Sequence, residues 1–153
     1  MTDDRIEREI LIAAPIARVW AILTESQHIS RWFGPGTADP QPTPIELRPG
    51  GEMVLDHGEY GRFRTSIVSV EPPHYFSYRW ASAYPGELAV AANSTLVEFR
   101  LTEVDEKTRL EVVETGFATL VIPPDRVSTA GFGSHSEGWT MVMQQFATYA
   151  EQQ

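Results

Sequence analysis

The chain has 153 residues, 42% of them hydrophobic and 22% charged, which suits one domain over residues 1–153 with a substantial core. Twenty-one acidic against 12 basic residues give a formal charge of −9, a balance that argues against nucleic acid or anionic lipid as partner. Cysteine is absent, which removes disulfides, thiolate catalysis and cysteine-ligated zinc and fits a cytoplasmic protein, and no apolar run of about 18 residues offers a membrane span.

Met1-Thr2-Asp3-Asp4 is acidic and lacks the basic and apolar segments of a secretory signal. From Ile6 to Ile12 the chain alternates Ile6, Arg8, Ile10 and Ile12 against Glu7, Glu9 and Leu11, the period of a half-buried strand. Pro15 is placed for the first position of a helix, where its missing amide is not needed, and Ile16, Val19, Trp20 and Leu23 mark the buried face. Thr24 to Gln27 fits a capping box opening a short second helix that ends near Trp32-Phe33, before Gly34-Pro35-Gly36 stops it. Thr37 to Pro44, with its prolines, reads as an ordered loop or lid.

Strand patterns then follow one another. Ile45 to Leu47 is a short candidate; Pro49-Gly50-Gly51 turns the chain into Glu52 to Asp56; His57-Gly58-Glu59 turns it again into a strand from Tyr60 to Val70. Pro72-Pro73 breaks that strand, and Tyr75 to Trp80 places Phe76, Tyr78 and Trp80 on one side. After the soft loop Ala81 to Asn93, Ser94 to Leu101 aligns Val97, Phe99 and Leu101, and Asp105-Glu106-Lys107 turns into Arg109 to Thr115, which aligns Leu110 and Val112. Gly116 to Thr129 connects to the last element.

That element is an amphipathic helix of about 17 residues. Trp139, Val142, Met143, Phe146, Tyr149 and Ala150 trace one stripe at 3.6 residues per turn, with Thr140, Gln144, Gln145, Thr148 and Glu151 opposite. Ser134 and Glu137 fit a capping box, and Gly138 implies close approach of another surface. Met141 falls on the polar side. Short strands joined by tight turns imply an antiparallel meander, and one helix across its curved face leaves a gap in which a ligand would bind. The expected fold is therefore α+β: a sheet of six to seven strands around a long C-terminal helix, with two short helices after the first strand.

Several stretches together resemble the START-like (SRPBCC) helix-grip superfamily and, within it, homologues of the activator of the ninety-kilodalton heat-shock chaperone's ATPase, the AHSA group. They are Arg8 to Pro15 with Val19-Trp20, Arg31-Trp32-Phe33-Gly34-Pro35, Gly50-Gly51-Glu52, Val70-Glu71-Pro72-Pro73 with Tyr78-Arg79-Trp80, Thr95 to Phe99, Thr108-Arg109-Leu110, and His135 to Trp139. The resemblance implies the helix-grip fold, a stress-response setting, and a chaperone as one candidate partner. The cochaperone's additional docking domain has no counterpart in these residues. Other branches of the superfamily bind lipids, hormones or polyketides in the cavity, and some are cyclases or hydroxylases. The resemblance supplies no catalytic signature.

His28, His57, His74 and His135 are scattered, and Asp56-His57-x-Glu59 reads as a solvated hairpin, so neither metal nor cofactor is expected. No phosphate loop, nucleophile elbow or His-Glu-x-x-His occurs. The candidate ligand-binding residues are Trp32, Phe33, Phe63, Ile67, Phe76, Tyr78, Trp80, Phe99, Trp139, Met143 and Phe146, with Thr65, Glu114 and His135 as inward-facing polar groups. The leading expectation is a monomeric or homodimeric protein holding a small, largely apolar molecule. The alternatives are a chaperone-associated interaction module and a cyclase- or hydrolase-type enzyme using Glu114, His135 or Tyr78 as acid or base.

Overall fold

The computed structural model describes residues 5–32, 43–56, 62–81, 87, 89–90, 93–117 and 132–153. The alternation of the first strand is realised in β1 (Arg5–Ile12), where Ile6 and Ile12 are buried and Glu7, Glu9 and Leu11 face outward. Helices α1 (Ile16–Thr24) and α2 (Ser26–Trp32) follow, then β2 (Glu52–Asp56), β3 (Arg62–Glu71), β4 (Tyr75–Trp80), β5 (Thr95–Val104) and β6 (Lys107–Thr115). These strands form one curved, antiparallel, six-stranded sheet in the order β1-β6-β5-β4-β3-β2, so the two helices carry the chain from one sheet edge to the other. A register shift between Ile67 and Ser69 marks a bulge in β3, a device that increases local twist.

The inner face is set by alternation. Thr95, Val97, Phe99 and Leu101 of β5 and Thr108, Leu110, Val112 and Glu114 of β6 are all buried. The last helix, α3 (Phe132–Glu151), has 20 residues and so spans about 30 Å at 1.5 Å per residue. It buries Trp139, Met143, Phe146, Ala147 and Ala150, half-buries Val142 and Tyr149, and leaves Met141, Gln144, Gln145 and Thr148 exposed, as its stripe predicts. Hydrogen bonds fix it along β1. Arg8 Nη2 donates to the Ser136 carbonyl at 3.2 Å and to Ser136 Oγ at 2.6 Å, and Arg8 Nε donates to Thr140 Oγ1 at 3.1 Å. At the other end of α3 the Ala13 amide donates to Glu151 Oε2 at 2.9 Å. No helix among the described residues is long and apolar enough to cross a membrane.

Local readings fail where a polar side chain has a second use. Thr24 is the last residue of α1, and its Oγ1 donates to the Trp20 carbonyl at 2.8 Å, the back-bonding open to a helical Thr, so it does not open a capping box for α2. Ser134 lies inside α3, which starts at Phe132, whereas a cap residue must stand just outside the helix with extended backbone. Pro15 takes that outside position for α1, at φ −69° and ψ 153°, one residue before the first helical one.

Ile45 to Leu47 is no strand. Ile45 makes an isolated bridge to Met53, and the chain turns back at once through Arg48 N to Glu46 O, so no ladder extends. That turn explains Gly51, because a Cβ there would stand 2.0 Å from the Glu46 carbonyl oxygen. Gly138 differs: an added Cβ would meet nothing within 4 Å, so the expected close approach does not occur. The glycine falls beside the buried stripe, while Ser136 and Thr140 make the contacts with β1. Most of the expected lid at Thr37 to Pro44 and of the loops after β2, β4 and β6 lies outside the described residues.

Candidate functional site

The middle of the inner face is a packed aromatic cluster centred on Phe99 of β5. The Phe99 ring meets Trp32 at 6.3 Å and Trp139 at 5.7 Å in T-shaped contacts and stacks on Phe76 at 6.4 Å. Trp32 in turn meets Phe146 of α3 at 4.9 Å, and its Nε1 donates to the Ile22 carbonyl at 2.8 Å. Ile67 and Met143 are buried in the wider hydrophobic core of which this cluster is part. These contacts tie α2 and α3 to the sheet.

Polar groups gather at one end of that face, where β4 and β6 finish and β5 begins. Register places Ile67, Tyr78, Val97, Glu114 and Ile6 in one row across β3, β4, β5, β6 and β1. Tyr78 and Glu114 therefore sit two strand spacings apart, about 10 Å between backbones, with Val97 between them. Glu114 is fully buried, and its carboxylate is surrounded by donors. Oε2 accepts from Thr95 Oγ1 at 2.5 Å, Oε1 accepts from Trp139 Nε1 at 2.8 Å, and His135 Nδ1 lies 2.7 and 2.9 Å from the two oxygens. An ionised carboxylate only accepts, so this geometry assigns the His135 proton to Nδ1.

The surround is aromatic. The His135 ring stacks on Trp80 at 4.9 Å and meets Phe117 edge-on at 5.3 Å, and Phe63 meets Trp80 edge-on at 5.9 Å. Tyr78 is 1% exposed, and its hydroxyl has no hydrogen-bond partner among the described residues. Burial, and then the Glu114 charge, push its phenol well above the ordinary value.

The candidate residues thus divide. Trp32, Phe76, Phe99, Met143 and Phe146 belong to the packed middle; Phe63, Tyr78, Trp80, Glu114 and His135 lie at the polar end, with Ile67 in the row of Tyr78 and Glu114; Trp139 joins the two. Thr65 is buried near that end, but its Oγ1 donates to the Met53 carbonyl at 2.7 Å and so links β2 to β3. Phe33 lies outside the described residues, as does His57-Gly58-Glu59. Among the described residues no group of three or more His, Asp or Glu gathers to hold a metal ion.

Two members of the site escaped the sequence reading. Thr95 carried a usable signal, since it continues the alternation of Val97, Phe99 and Leu101 by one step. Phe117 carried none, because it follows Gly116, whose φ of 107° ends the strand pattern.

Solved structures of several proteins share this fold at low identity. Protein MLL2253 from Mesorhizobium loti superposes with a TM-score of 0.73 and 20% identity, covering 97% of this chain and 97% of that one. DynU16, a protein of the dynemicin biosynthetic locus, gives 0.71 and 23%, with 98% of this chain matching 48% of that one. The Aha1 dimer from Colwellia psychrerythraea gives 0.69 and 17%, with coverages of 99% and 97%. None of the curated proteins compared with it matches this chain. Residues 13–151 match the activator of Hsp90 ATPase homolog 1-like proteins, and the chain belongs to that family.

Proposed function

We propose that this protein, as one domain of residues 1–153 working in the cytoplasm, binds a small, largely apolar molecule between the sheet and α3. The site is the polar end of the inner face, walled by Phe63, Trp80 and Phe117. The observation that carries the reading is the Tyr78 hydroxyl, buried without a partner among the described residues on an aromatic-lined face. Small-molecule sites combine apolar lining with a few convergent polar groups in this way. Native mass spectrometry of protein purified from its source, with thermal melts against a panel of neutral apolar compounds, tests it. A retained molecule, or a compound that stabilises by about 2.7 kcal/mol at a hundred times its Kd, is expected. Consistently empty protein with no shift across the panel overturns the reading.

The family description and the Aha1 relative favour a second reading, an interaction module contacting a heat-shock chaperone, with homodimerisation as in that relative. Unchanged ATPase turnover of the chaperone on adding this protein, together with failure to co-purify, overturns it.

A further inference from the structure

We propose that the Tyr78 hydroxyl is a donor reserved for a neutral acceptor oxygen of the bound molecule, a ketone or amide carbonyl, and that the charge of Glu114, two strands away on the same row, rejects carboxylates. This inference rests on the binding reading above and adds the chemistry that the site selects.

The argument is one of capacity. A carboxylate offers about four acceptor positions. Glu114 already accepts from three donors, Thr95 Oγ1, Trp139 Nε1 and His135 Nδ1, the last shared between its two oxygens. Those donors turn the Glu114 carboxylate toward β5 and α3, and the Tyr78 hydroxyl has no partner among the described residues. The phenol is also held in direction, because its ring packs on Phe76 at 5.8 Å and on Phe99 at 6.2 Å. A fixed donor in an apolar surround favours any acceptor brought to it, since an unmade buried hydrogen bond is unfavourable. The sign of charge follows from Glu114. A carboxylate ligand would place a second negative charge near the first, where little solvent screens them. An ammonium group would find the Glu114 oxygens already taken. A neutral carbonyl oxygen meets neither obstacle.

Three naphthalenes of similar shape test this on the intact protein: 2-acetylnaphthalene, 2-ethylnaphthalene and 2-naphthoate, each titrated by fluorescence or calorimetry against wild type and Tyr78→Phe. The ketone is expected to bind wild type about tenfold more tightly than either of the others, the worth of roughly one buried hydrogen bond. In Tyr78→Phe the ketone and the hydrocarbon become equal, while hydrocarbon affinity stays within about twofold, well under the tenfold that 1.4 kcal/mol represents. An unchanged ketone preference in the variant overturns the role of Tyr78, and so does equal binding of ketone and hydrocarbon to wild type. Naphthoate binding as tightly as the ketone overturns the role of Glu114. If none of the three binds although protein from its source retains a molecule or a panel compound stabilises it, this inference alone falls; if that protein is also empty and unshifted, the binding reading falls with it.

Discussion

Phe99 and Glu114 lie on neighbouring strands of the same face, both at most 1% exposed, yet what surrounds them differs in kind. Around Phe99 are Trp32, Phe76, Tyr78 and Trp139, rings that meet edge-on, tilted or stacked. Around Glu114 are three donors, each pointing at a carboxylate oxygen. The first region is held by apolar burial and contact, which tolerate exchange among residues of similar volume. The second is held by hydrogen bonds that must all be made, because a donor or acceptor left over in a dry site is destabilising. Tyr78 stands apart from both, with its ring in the first region and its hydroxyl without a partner among the described residues.

Trp139 tests the division most severely because it serves both sides, meeting Phe99 in a T-shaped contact and giving its N–H to Glu114. Trp139→Ala is expected to destabilise by about 3–5 kcal/mol, and to leave Glu114 one donor short. For a chain of this size that is a fall in Tm on the order of 10 °C, read by circular dichroism. Trp139→Phe keeps most of the packing and loses the N–H, so its smaller fall measures the polar region alone. A drop of one or two degrees for the Ala variant would show that the two regions are not joined there.

Tyr78→Phe should act in the opposite direction. Removing a buried hydroxyl that has no partner among the described residues is expected to raise stability by about 1 kcal/mol in the ligand-free protein. The pH dependence has a definite sign. The folded pKa is raised above the unfolded value near 10.0, so the neutral phenol's contribution is complete below pH 10.0 and declines as pH rises through the folded value. Tyr75 is also raised, by burial and by its hydrogen bond to Glu98, so the alkaline loss has more than one source. The difference between wild type and Tyr78→Phe isolates the part due to Tyr78, up to about 1.4 kcal/mol per pH unit. Equal slopes for both proteins above pH 10 would mean that the hydroxyl is not buried in solution.

Period and order made the strands and the helix stripe legible, because side-chain alternation is local and survives in any window of the chain. Tyr75 to Trp80 was read with its boundaries unchanged, and Glu114 and His135 were both placed facing inward by alternation and helix spacing. Their partnership was not legible. Glu114 meets His135 across 21 residues, Trp139 across 25 and Thr95 across 19, and nothing local to one of them names the others. Capping failed for a related reason. Thr24 and Ser134 have the right residue type and spacing, but the Thr24 hydroxyl bonds back along its own helix, and α3 begins at Phe132, two residues before the Ser134 expected to cap it. Of the aromatic candidates for a cavity lining, Trp32, Phe76, Phe99 and Phe146 meet one another: an inward-facing aromatic ring carries the same pattern whether it meets a ligand or another ring.

Gly138 gives the smallest effect and the cleanest control. It lies next to Trp139 on α3, the helix that carries both regions, yet a Cβ at that position meets nothing within 4 Å. Glycine is less favourable than alanine inside a helix by about 1 kcal/mol, through the backbone entropy it loses on folding. With no steric reason to retain it, Gly138→Ala is expected to stabilise by up to about 1 kcal/mol, a rise in Tm of roughly 2–4 °C. The aromatic contacts and the Glu114 hydrogen bonds should be untouched, so the three naphthalenes should bind as they do to wild type. A fall in Tm would show that α3 approaches another surface at this point after all. A rise in Tm accompanied by weaker binding would carry a different message: the freedom of α3 beside Trp139 would then belong to the site, and its rigid and responsive parts would divide within this helix rather than between Phe99 and Glu114.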